Sequence, residues 1–378
     1  MSGKLGIGII GCGNISAAYF RLAPLFRGLE VRACADIAPA VAEARAAEFG
    51  VRAESVEALL ADPDIDVVIN LTIPAAHFGV TKAALEAGKH VYSEKPFVLG
   101  VEEGLELKTL ADAKGLRVGS APDTFLGGAQ QLARRLIDDG ALGTITAGTA
   151  FVLSHGMEMW HPNPGFFFLP GGGPMLDLGP YQVAALINLI GPVRRVAAMT
   201  GAATPTRLVT ADGPVKDQEI PVETPTTVQA LMEFESGALV MINASWDVWG
   251  HRHRQPIELY GTEGTLFVPD PNWFGGTVEV AGRDGTVREE VWEHPLGVPN
   301  DTRPGGTLAN YRTAGLADMA AAILEGREAR CGLERALHGI DVMTSILRSG
   351  ETGRFIELQT TCTRPEALDP DAARALLA

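Results

Sequence analysis

The sequence predicts an α/β fold: an N-terminal doubly wound parallel sheet, followed by an α+β domain with a mostly antiparallel sheet. Strand-like and helix-like segments alternate as far as about residue 123, and their apolar strands indicate a parallel sheet that is covered on both faces. From about residue 143, strand-like segments follow one another with short turns, which favours antiparallel pairing. Because 378 residues fit two domains, we place the domains at residues 1–123 and 124–378.

The first domain begins with an apolar run that ends in glycines. Its predicted strands are residues 5–10, 31–35, 66–71, 90–93 and 116–120, and its predicted helices are residues 40–49, 55–60, 77–87 and 101–114. Pro39 and Gly50 stand where a helix begins and ends, and Ser55 is a suitable N-cap. These signals support the alternating pattern.

The second domain is rich in strands. Strands are predicted at residues 144–154, 193–200, 226–234, 238–246, 257–260, 265–268 and 277–280, and helices at 175–190, 308–324 and 333–347. Residues 204–226 are rich in Pro, Asp and Thr, which predicts a long loop or a hairpin.

Composition excludes several classes of protein. Apolar residues make up 46% and charged residues 20% of the chain, which is typical of a globular protein. The formal net charge of −15 opposes binding to nucleic acid and to anionic membrane surfaces. No apolar run approaches the roughly 20 residues of a membrane span, and residues 5–10 are too short for a signal peptide. With four scattered cysteines, we expect a cytoplasmic protein with reduced thiols.

A glycine-rich turn follows the first predicted strand. Its sequence over residues 11–16 is GCGNIS, in which Ser16 stands where the third glycine or alanine is usual. Such a turn lets backbone amides meet a pyrophosphate at the start of a helix. Asp36 ends the next strand, and its distance from Gly13 is near the roughly 20 residues expected for a carboxylate that binds the adenosine ribose. We therefore predict a dinucleotide site with the ligands Gly11, Gly13, Asn14, Ile15 and Asp36.

Asp36 also indicates which dinucleotide is preferred. A carboxylate can accept hydrogen bonds from both ribose hydroxyls, but it repels a 2′-phosphate. Residue 37 is isoleucine, so no arginine follows to bind such a phosphate. We expect NAD rather than NADP.

A second motif, Glu94-Lys95-Pro96, follows a predicted strand at the carboxyl edge of the parallel sheet, where α/β folds bind ligands. The chain resembles the glucose-fructose oxidoreductase/inositol dehydrogenase/MocA (Gfo/Idh/MocA) family over nearly its full length. The matching segments are GCGNIS at 11–16, TIP at 72–74 with His77, ALEAGKHVYSEKP at 84–96 and GGGPMLDLGPY at 171–181. The resemblance implies a Rossmann domain, an open-faced sheet domain, a nicotinamide cofactor and a sugar or polyol substrate. It also implies homodimers or homotetramers formed through the second sheet.

The resemblance further implies roles for individual residues. The family's catalytic lysine falls on Lys95, where an ammonium would stabilise a developing alkoxide, and the peptide bond before Pro96 would be cis. The family's aspartate falls on Asp177. Its histidine falls on Tyr181, a departure that a redox-active subset of the family shares. Lys95 would contact both the cofactor and the substrate, and Asp177 and Tyr181 would contact the substrate. The other cofactor contacts implied are Thr72, Pro74, His77 and Glu94.

Helical spacing independently pairs Asp177 with Tyr181. The two residues are four apart in the helix predicted at 175–190, so they share one face. The apolar stripe of this helix lies roughly opposite and comprises Val183, Leu186, Ile187 and Ile190. We expect the pair to face solvent or a cleft. The resemblance further implies that the phenol of Tyr181 and the ammonium of Lys95 meet over the same nicotinamide ring.

Two segments of the second domain are candidate substrate contacts. Residues 155–163 contain the pattern H-x-x-E-x-x-H, but this is not the H-E-x-x-H zinc motif, and the flanking glycine and prolines oppose a helix, so we expect no metal. The segment is either a structural loop or a sugar-lining loop, in which case Trp160, His161 and Asn163 would bind the substrate. Residues 251–254 form a basic patch that is either a site for an anionic substrate group, an exposed strand end or a subunit contact. If the patch is a strand, its histidines point one way and its arginines the other.

Three functions are consistent with these features. The first is an NAD-dependent dehydrogenase of a sugar, sugar derivative or polyol. The second is a glycoside hydrolase that oxidises a ring hydroxyl transiently and then returns the hydride to the product. The third is a non-catalytic NAD-binding protein, which the presence of Lys95 and Asp177 disfavours.

Overall fold

The computed structural model describes residues 3–303 and 306–378, which form two compact units. The first unit combines the chain up to Gly128 with Glu293–Ile340 and Pro365–Ala378. The second unit combines Ala129–Trp292 with Asp341–Arg364. The first compact unit thus includes two C-terminal segments of the chain. The boundary at residue 123 stays a proposal: it separates the residues expected to bind the cofactor from those expected to bind the substrate.

The described residues form eleven α-helices. They are α1 (Ser16–Leu22), α2 (Pro39–Phe49), α3 (Val56–Ala61), α4 (Pro74–Glu86), α5 (Val101–Lys114), α6 (Gly128–Asp138), α7 (Gly173–Asp177), α8 (Gly179–Ile190), α9 (Ala314–Glu325), α10 (Leu333–Thr352) and α11 (Pro370–Leu376).

The strands are numbered in the same way. They are β1 (Leu5–Ile10), β2 (Leu29–Ala35), β3 (Arg52–Glu54), β4 (Val67–Asn70), β5 (His90–Ser93), β6 (Val118–Ser120), β7 (Ile145–Leu153), β8 (Val193–Gly201), β9 (Thr206–Leu208), β10 (Glu219–Pro221), β11 (Thr227–Phe234), β12 (Leu239–Ser245), β13 (Ile257–Gly261), β14 (Gly264–Val268), β15 (Val278–Gly282), β16 (Val287–Glu290), β17 (Asp301–Arg303), β18 (Gly306–Leu308) and β19 (Ile356–Glu357).

The first unit contains a six-stranded parallel sheet. The strand order is β3-β2-β1-β4-β5-β6, which confirms the doubly wound prediction. Local signals act as expected: Pro39 lies in the first turn of α2, and Gly50 ends that helix with a φ of 71°. Ser55 caps α3 by accepting a hydrogen bond from the backbone N–H of Ala58.

The second unit is built on a nine-stranded sheet. Its strand order is β16-β15-β14-β13-β7-β12-β11-β8-β19, and every neighbouring pair is antiparallel except β7 and β12. Alternate residues of β11 and β12 are buried, so one face of the sheet forms part of the core. The other face exposes large apolar side chains, including Met199, Leu231 and Leu239. This arrangement confirms the mostly antiparallel, open-faced sheet.

Two predicted helices differ in the structure. The segment predicted as one helix at 175–190 is two, α7 and α8, which meet at Leu178. Pro180 explains the break, because a proline has no N–H to continue the hydrogen bonds of α7. The helix predicted at 308–324 begins only at Ala314. Residues 204–226 contain the short hairpin of β9 and β10, in agreement with the predicted loop or hairpin. Within the described residues, no helix is both long enough and apolar enough to cross a bilayer.

Candidate active site

The glycine turn lies directly after β1. Gly11 has a φ of +99°, and a Cβ at this position would lie 2.6 Å from the backbone carbonyl carbon of Leu71. Only glycine satisfies both constraints. Gly13, Asn14 and Ile15 are exposed, and a Cβ on Gly13 would meet nothing within 4 Å. The turn therefore presents an accessible stretch of backbone just before α1.

Ser16 stabilises this turn. Its buried hydroxyl donates a 2.6 Å hydrogen bond to the carbonyl oxygen of Gly13, and its backbone N–H donates to the same oxygen at 3.2 Å. The serine at the usual third glycine position thus fixes the shape of the turn.

Asp36 is held against the same turn by two backbone amides. Its Oδ2 accepts a 2.8 Å hydrogen bond from the N–H of Cys12, and its Oδ1 accepts a 2.9 Å bond from the N–H of Ala38. Asp36 is half-buried, and Ile37 beside it is 97% exposed. Since each carboxylate oxygen carries two lone pairs, both keep an acceptor site for a ribose hydroxyl.

Cys12 itself is unsuited to be a nucleophile. Its thiol is buried, and a hydrogen bond with Cys34, together with burial, raises the pKa of Cys12 far above its ordinary value. A thiol that stays protonated is unreactive.

The loop after β4 is organised by Asn70 and His77. The Oδ1 of Asn70 accepts a 2.6 Å hydrogen bond from the Thr72 hydroxyl, and its Nδ2 donates to the carbonyl oxygen of His77. The His77 ring is buried, with Nδ1 at 2.7 Å from the carbonyl oxygen of Pro96 and Nε2 at 3.0 Å from that of Thr72. His77 therefore links the Thr72 loop to the Glu94-Lys95-Pro96 segment. Pro74 lies in the first turn of α4.

Glu94 fixes the backbone that carries Lys95. Its Oε2 accepts a 2.8 Å hydrogen bond from the N–H of Lys95, and its Oε1 accepts a 2.9 Å bond from the hydroxyl of Tyr19 in α1. The peptide bond between Lys95 and Pro96 is cis, as the resemblance implied, and Lys95 is half-buried.

Strand register brings these segments to one edge of the sheet. Ile10 at the end of β1 pairs with Ala35 of β2 and Asn70 of β4, and Asn70 pairs with Ser93 of β5. The glycine turn, Asp36, Thr72 and the Glu94-Lys95-Pro96 segment each follow one of these paired residues. This is the carboxyl edge at which parallel α/β sheets bind ligands.

Asp123 closes the same edge, just after β6. Its buried carboxylate Oδ2 accepts hydrogen bonds from the N–H groups of Thr313 and Gly315, at 3.0 and 2.9 Å. Burial raises the pKa of Asp123, and the two N–H donors oppose that shift. The residue anchors the start of α9.

Asp177 and Tyr181 lie on either side of the junction between α7 and α8. The ideal four-residue helical spacing assumed from sequence is therefore wrong in detail, although the N–H of Tyr181 donates to the carbonyl oxygen of Leu178 and keeps the chain locally helical. Asp177, Leu178, Tyr181 and Ile190 are half-buried, whereas the other residues from 173 to 190 are buried. The pair thus occupies a partly accessible position on an otherwise buried pair of helices.

The loop after β7 exposes aromatic side chains. Trp160 is 64% exposed, and its ring lies edge-on to His161, with 5.6 Å between ring centroids. His161 Nδ1 accepts a 3.1 Å hydrogen bond from the N–H of Asn163. No group of three His, Cys, Asp or Glu side chains that could hold a metal ion occurs in residues 3–303 and 306–378.

Comparison with known proteins identifies the family. Residues 5–121 match the model described as "Oxidoreductase family, NAD-binding Rossmann fold". Residues 130–267 match the model of the GFO/IDH/MocA C-terminal domain. The chain belongs to the Gfo/Idh/MocA family. As a member of this family, the protein is an NAD-binding oxidoreductase, and residues 5–121 form its NAD-binding Rossmann fold.

Several relatives have names that describe sugar oxidoreductases. D-xylose dehydrogenase of Paenarthrobacter nicotinovorans is 25% identical over 80% of this chain and 79% of its own length. D-xylose 1-dehydrogenase (NADP(+)) 2 of Haloferax volcanii is 27% identical over 93% of this chain and 99% of its own. The structure of levoglucosan dehydrogenase in its apo form superposes with a TM-score of 0.81 at 22% identity, covering 95% of this chain and 100% of that one, which shows a shared fold.

The residues of this Gfo/Idh/MocA protein fit a dinucleotide. The turn has glycine where a side chain would collide with Leu71, and its exposed backbone lies beside a carboxylate with acceptor capacity left. Gly11, Gly13, Asn14, Ile15 and Asp36 are the residues that would hold the pyrophosphate and ribose.

The basic patch of this Gfo/Idh/MocA protein is not a strand. Residues 250–254 have no regular secondary structure, so the alternating orientation expected from strand geometry is wrong. The rings of His251 and His253 lie 5.4 Å apart, and His253 stacks on Phe151. Arg254 is paired with Glu279 at 2.6 Å, so its charge is largely neutralised within the chain.

Sequence reasoning missed Asn70 and Arg45 at the sheet edge, as it missed Asp123. Asn70, the last residue of β4, holds both the Thr72 loop and α4, but inside an apolar run it gave no separate signal. Arg45 reaches from α2 to the turn, where its Nη2 lies 3.4 Å from the carbonyl oxygen of Gly13 while Nη1 pairs with Glu48. Its position depends on the packing of α2 beside β2, which spacing along the chain does not specify.

Proposed function

We propose that the protein is an NAD-dependent dehydrogenase that transfers a hydride between a nicotinamide and a hydroxyl of a sugar, sugar derivative or polyol. The observation that carries the proposal is the position of Lys95, which follows β5 at the same edge as the glycine turn and is fixed there by Glu94. An ammonium at a cofactor-binding edge suits the negative charge that develops on the hydroxyl oxygen as its proton leaves and the carbon that bears it gives up hydride.

The substrate class rests on the relatives and on the aromatic loop. Proteins of similar sequence act on D-xylose, and a protein of similar fold acts on levoglucosan. The exposed ring of Trp160 offers a flat apolar face to sugar C–H groups, and His161 and Asn163 offer hydrogen bonds. An anionic sugar is included because His251 and Arg252 are exposed cationic or ionisable groups.

Three side chains carry the chemistry in this proposal. Lys95 stabilises the negative charge on the substrate oxygen, Tyr181 takes or relays the hydroxyl proton, and Asp177 orients the substrate by accepting a hydrogen bond. When it is bound, the nicotinamide supplies the hydride acceptor. The remaining cofactor contacts in this proposal are Thr72, Pro74, His77 and Glu94. Because His77 is buried, its role is to hold the Thr72 and Pro96 loops together.

Assembly and location are part of the same proposal. A homodimer or homotetramer would cover the apolar side chains on the open face of the second sheet, which water otherwise contacts. A cytoplasmic location stays a prediction from the sequence.

Single substitutions test the assignment. We expect Lys95→Met and Tyr181→Phe each to lower kcat by about 10²–10⁴, because each removes charge stabilisation or proton transfer from the transition state. NAD⁺ affinity, measured by fluorescence titration, should change little. Lys82→Met and Tyr260→Phe are matched controls, since Lys82 is exposed and pairs with Glu106, and Tyr260 bonds Glu258. Near-native kcat in both test variants would show that the assignment is wrong.

A further inference from the structure

An arginine in the β9–β10 hairpin is buried among charged groups. Arg207 is 8% exposed, and its Nη1 donates a 3.0 Å hydrogen bond to Oε1 of Glu158. Its Nη2 donates to Oδ1 of Asp247, so one guanidinium joins two carboxylates. Glu158 is 3% exposed. We call this group, Arg207 with Glu158 and Asp247, the arginine bridge.

The two carboxylates belong to neighbouring loops. Glu158 lies in the 155–163 loop that follows β7, and Asp247 lies just after β12. Because β7 and β12 are parallel neighbours with Leu153 opposite Ser245, both loops leave the sheet at the same end. Asp247 is itself held, since its Oδ2 accepts hydrogen bonds from the hydroxyls of Thr226 and Thr227 at 2.7 and 2.6 Å.

The hairpin also packs along the 155–163 loop through its backbone. The N–H groups of Thr210 and Ala211 donate to the carbonyl oxygen of Glu158 at 2.9 and 3.0 Å. A Cβ on Gly213 would lie 2.6 Å from the carbonyl oxygen of Pro162, so the tip of the hairpin touches the loop directly. The segment from 204 to 224 therefore packs against the loop that carries Trp160, His161 and Asn163 and restrains it.

The bridge reaches the aromatic surface through His155. The Nε2 of His155 lies 3.4 Å from Oε1 of Glu158, and its ring stacks on Trp249 with 3.6 Å between centroids. Trp249 is 79% exposed. Moving Glu158 would therefore move both an exposed tryptophan and the loop that contains Trp160.

A contribution to folding stability does not by itself explain why the arginine bridge is buried. Taking three charged groups out of water is costly, and well-packed apolar replacements of buried ion pairs are often as stable. Within the described residues, Arg207 Nε, Glu158 Oε2 and His155 Nδ1 are buried without hydrogen-bond partners, so the cost is only partly offset. An ionic bridge fixes the distance and direction between two loops because its hydrogen bonds are directional. An apolar contact does not fix them in this way.

We propose that Arg207 is a positioning residue for substrate, which holds the 155–163 loop and residues 246–249 in the arrangement that binds the sugar. The inference rests on the proposed function, in which the 155–163 loop lines the substrate site. Loss of the bridge should weaken sugar binding equally in the ground state and the transition state, because the reacting groups lie elsewhere in the chain. Uniform loss of binding raises KM and leaves kcat nearly unchanged.

The test compares Arg207→Met with Arg207→Lys and with Arg283→Met as the control. Arg283 also pairs with a carboxylate, that of Glu263, but both side chains are exposed. Hydrogen exchange followed by mass spectrometry reports on the two loops without any substrate. In Arg207→Met we expect exchange over residues 155–163 and 246–249 to quicken by about tenfold or more, since a local contact that opposes opening is lost. Arg283→Met should exchange like the wild-type chain.

Kinetics with D-xylose and levoglucosan give the second readout. In Arg207→Met we expect the KM for the sugar substrate to rise by about tenfold, while kcat stays within about threefold of the wild-type value. Arg207→Lys should give an intermediate KM, because one ammonium replaces a guanidinium that bonds both carboxylates. If Arg207→Met fails to fold, the variant Arg207→Met/Glu158→Gln/Asp247→Asn removes the uncompensated charges and should show the same changes.

The outcomes separate this inference from the proposed function. Unchanged exchange in both loops, or a fall in kcat at constant KM, overturns the positioning role. If the wild-type chain oxidises no sugar, the proposed function fails, and the exchange measurement still decides whether Arg207 holds the loops.

Discussion

Replacing Asp36 by serine should shift cofactor preference from NAD towards NADP. The substitution removes the carboxylate at the end of β2 that lies beside the glycine turn. Two effects act in the same direction: NAD loses a charged acceptor for its ribose hydroxyls, and NADP loses a like charge near its 2′-phosphate. We therefore express the result as the ratio of kcat/KM for NAD to kcat/KM for NADP.

The size of the shift follows from the position of the carboxylate. Hydrogen bonds to a charged group contribute about 1.5–3 kcal/mol. Two unit charges at about 4 Å repel by roughly 4 kcal/mol at an effective dielectric constant near 20, and we halve this to about 2 kcal/mol because Asp36 is half-exposed. The combined change of about 3.5–5 kcal/mol corresponds to a shift of roughly 400- to 5,000-fold in the ratio.

The ratio also cancels an unwanted effect of the substitution. Asp36 accepts hydrogen bonds from the N–H groups of Cys12 and Ala38, so its loss loosens the turn for both cofactors alike. Arg45, close to the carbonyl oxygen of Gly13, is the cation that would attract a 2′-phosphate once Asp36 is gone. The double variant Asp36→Ser/Arg45→Met should therefore show a smaller gain with NADP.

The assay is the initial rate of reduction of NAD and NADP with the same oxidisable sugar at saturation. A ratio that stays within about threefold of wild type, far below the expected change, would refute the role of Asp36. A ratio near one in the wild-type chain would show that the protein does not prefer NAD.

Three further predictions concern the first unit. Gly315→Ala should lower the free energy of unfolding in urea by about 1–3 kcal/mol, because the new Cβ would lie 2.4 Å from the hydroxyl of Tyr92. Gly79→Ala is the control: its Cβ would meet nothing within 4 Å, so it should stabilise α4 by about 0.5–1 kcal/mol. His77→Ala should raise the Kd for NAD⁺ in fluorescence titration, because the link between the Thr72 and Pro96 loops is lost. The pKa of Asp123 is raised in the folded chain, so the free energy of unfolding should fall as pH rises from the ordinary pKa of an aspartate through the raised one. Asp123→Asn removes this titration and should flatten that part of the plot of unfolding free energy against pH.

Each of these predictions has a contrary result. Equal effects of the two alanine substitutions would show that the space around Gly315 does not control stability. An unchanged Kd in His77→Ala would show that the link is not needed for cofactor binding. For Asp123, stability that falls just as steeply with rising pH in Asp123→Asn would contradict the burial argument.

The first sheet could be predicted from sequence because its signals are local. Pro39 and Gly50 mark helix ends by their backbone conformations, and Ser55 marks one by its side-chain cap. The glycine turn and Asp36 are related by a spacing that a βαβ unit fixes. The break between α7 and α8 was missed although Pro180 marks it, because the apolar period of the segment continues through the break.

The contacts that hold the site could not be predicted. Arg207 lies in a segment whose composition indicates only a loop or hairpin, and its partners lie 49 and 40 residues away along the chain. Likewise, the distance between Arg45 and Gly13 depends on how α2 packs against the sheet. Long-range ion pairs carry no periodic or compositional signal, so they emerge only from the fold.

The most direct test of the central claim is to follow NADH while the purified chain is incubated with excess NAD⁺ and a panel of neutral and acidic sugars that includes D-xylose and levoglucosan. We expect NADH to accumulate in step with an oxidised sugar, and Lys95→Met to abolish most of that rate. Cleavage of a glycoside without NADH, or no reaction across the panel by a chain that binds NAD⁺, would contradict the claim.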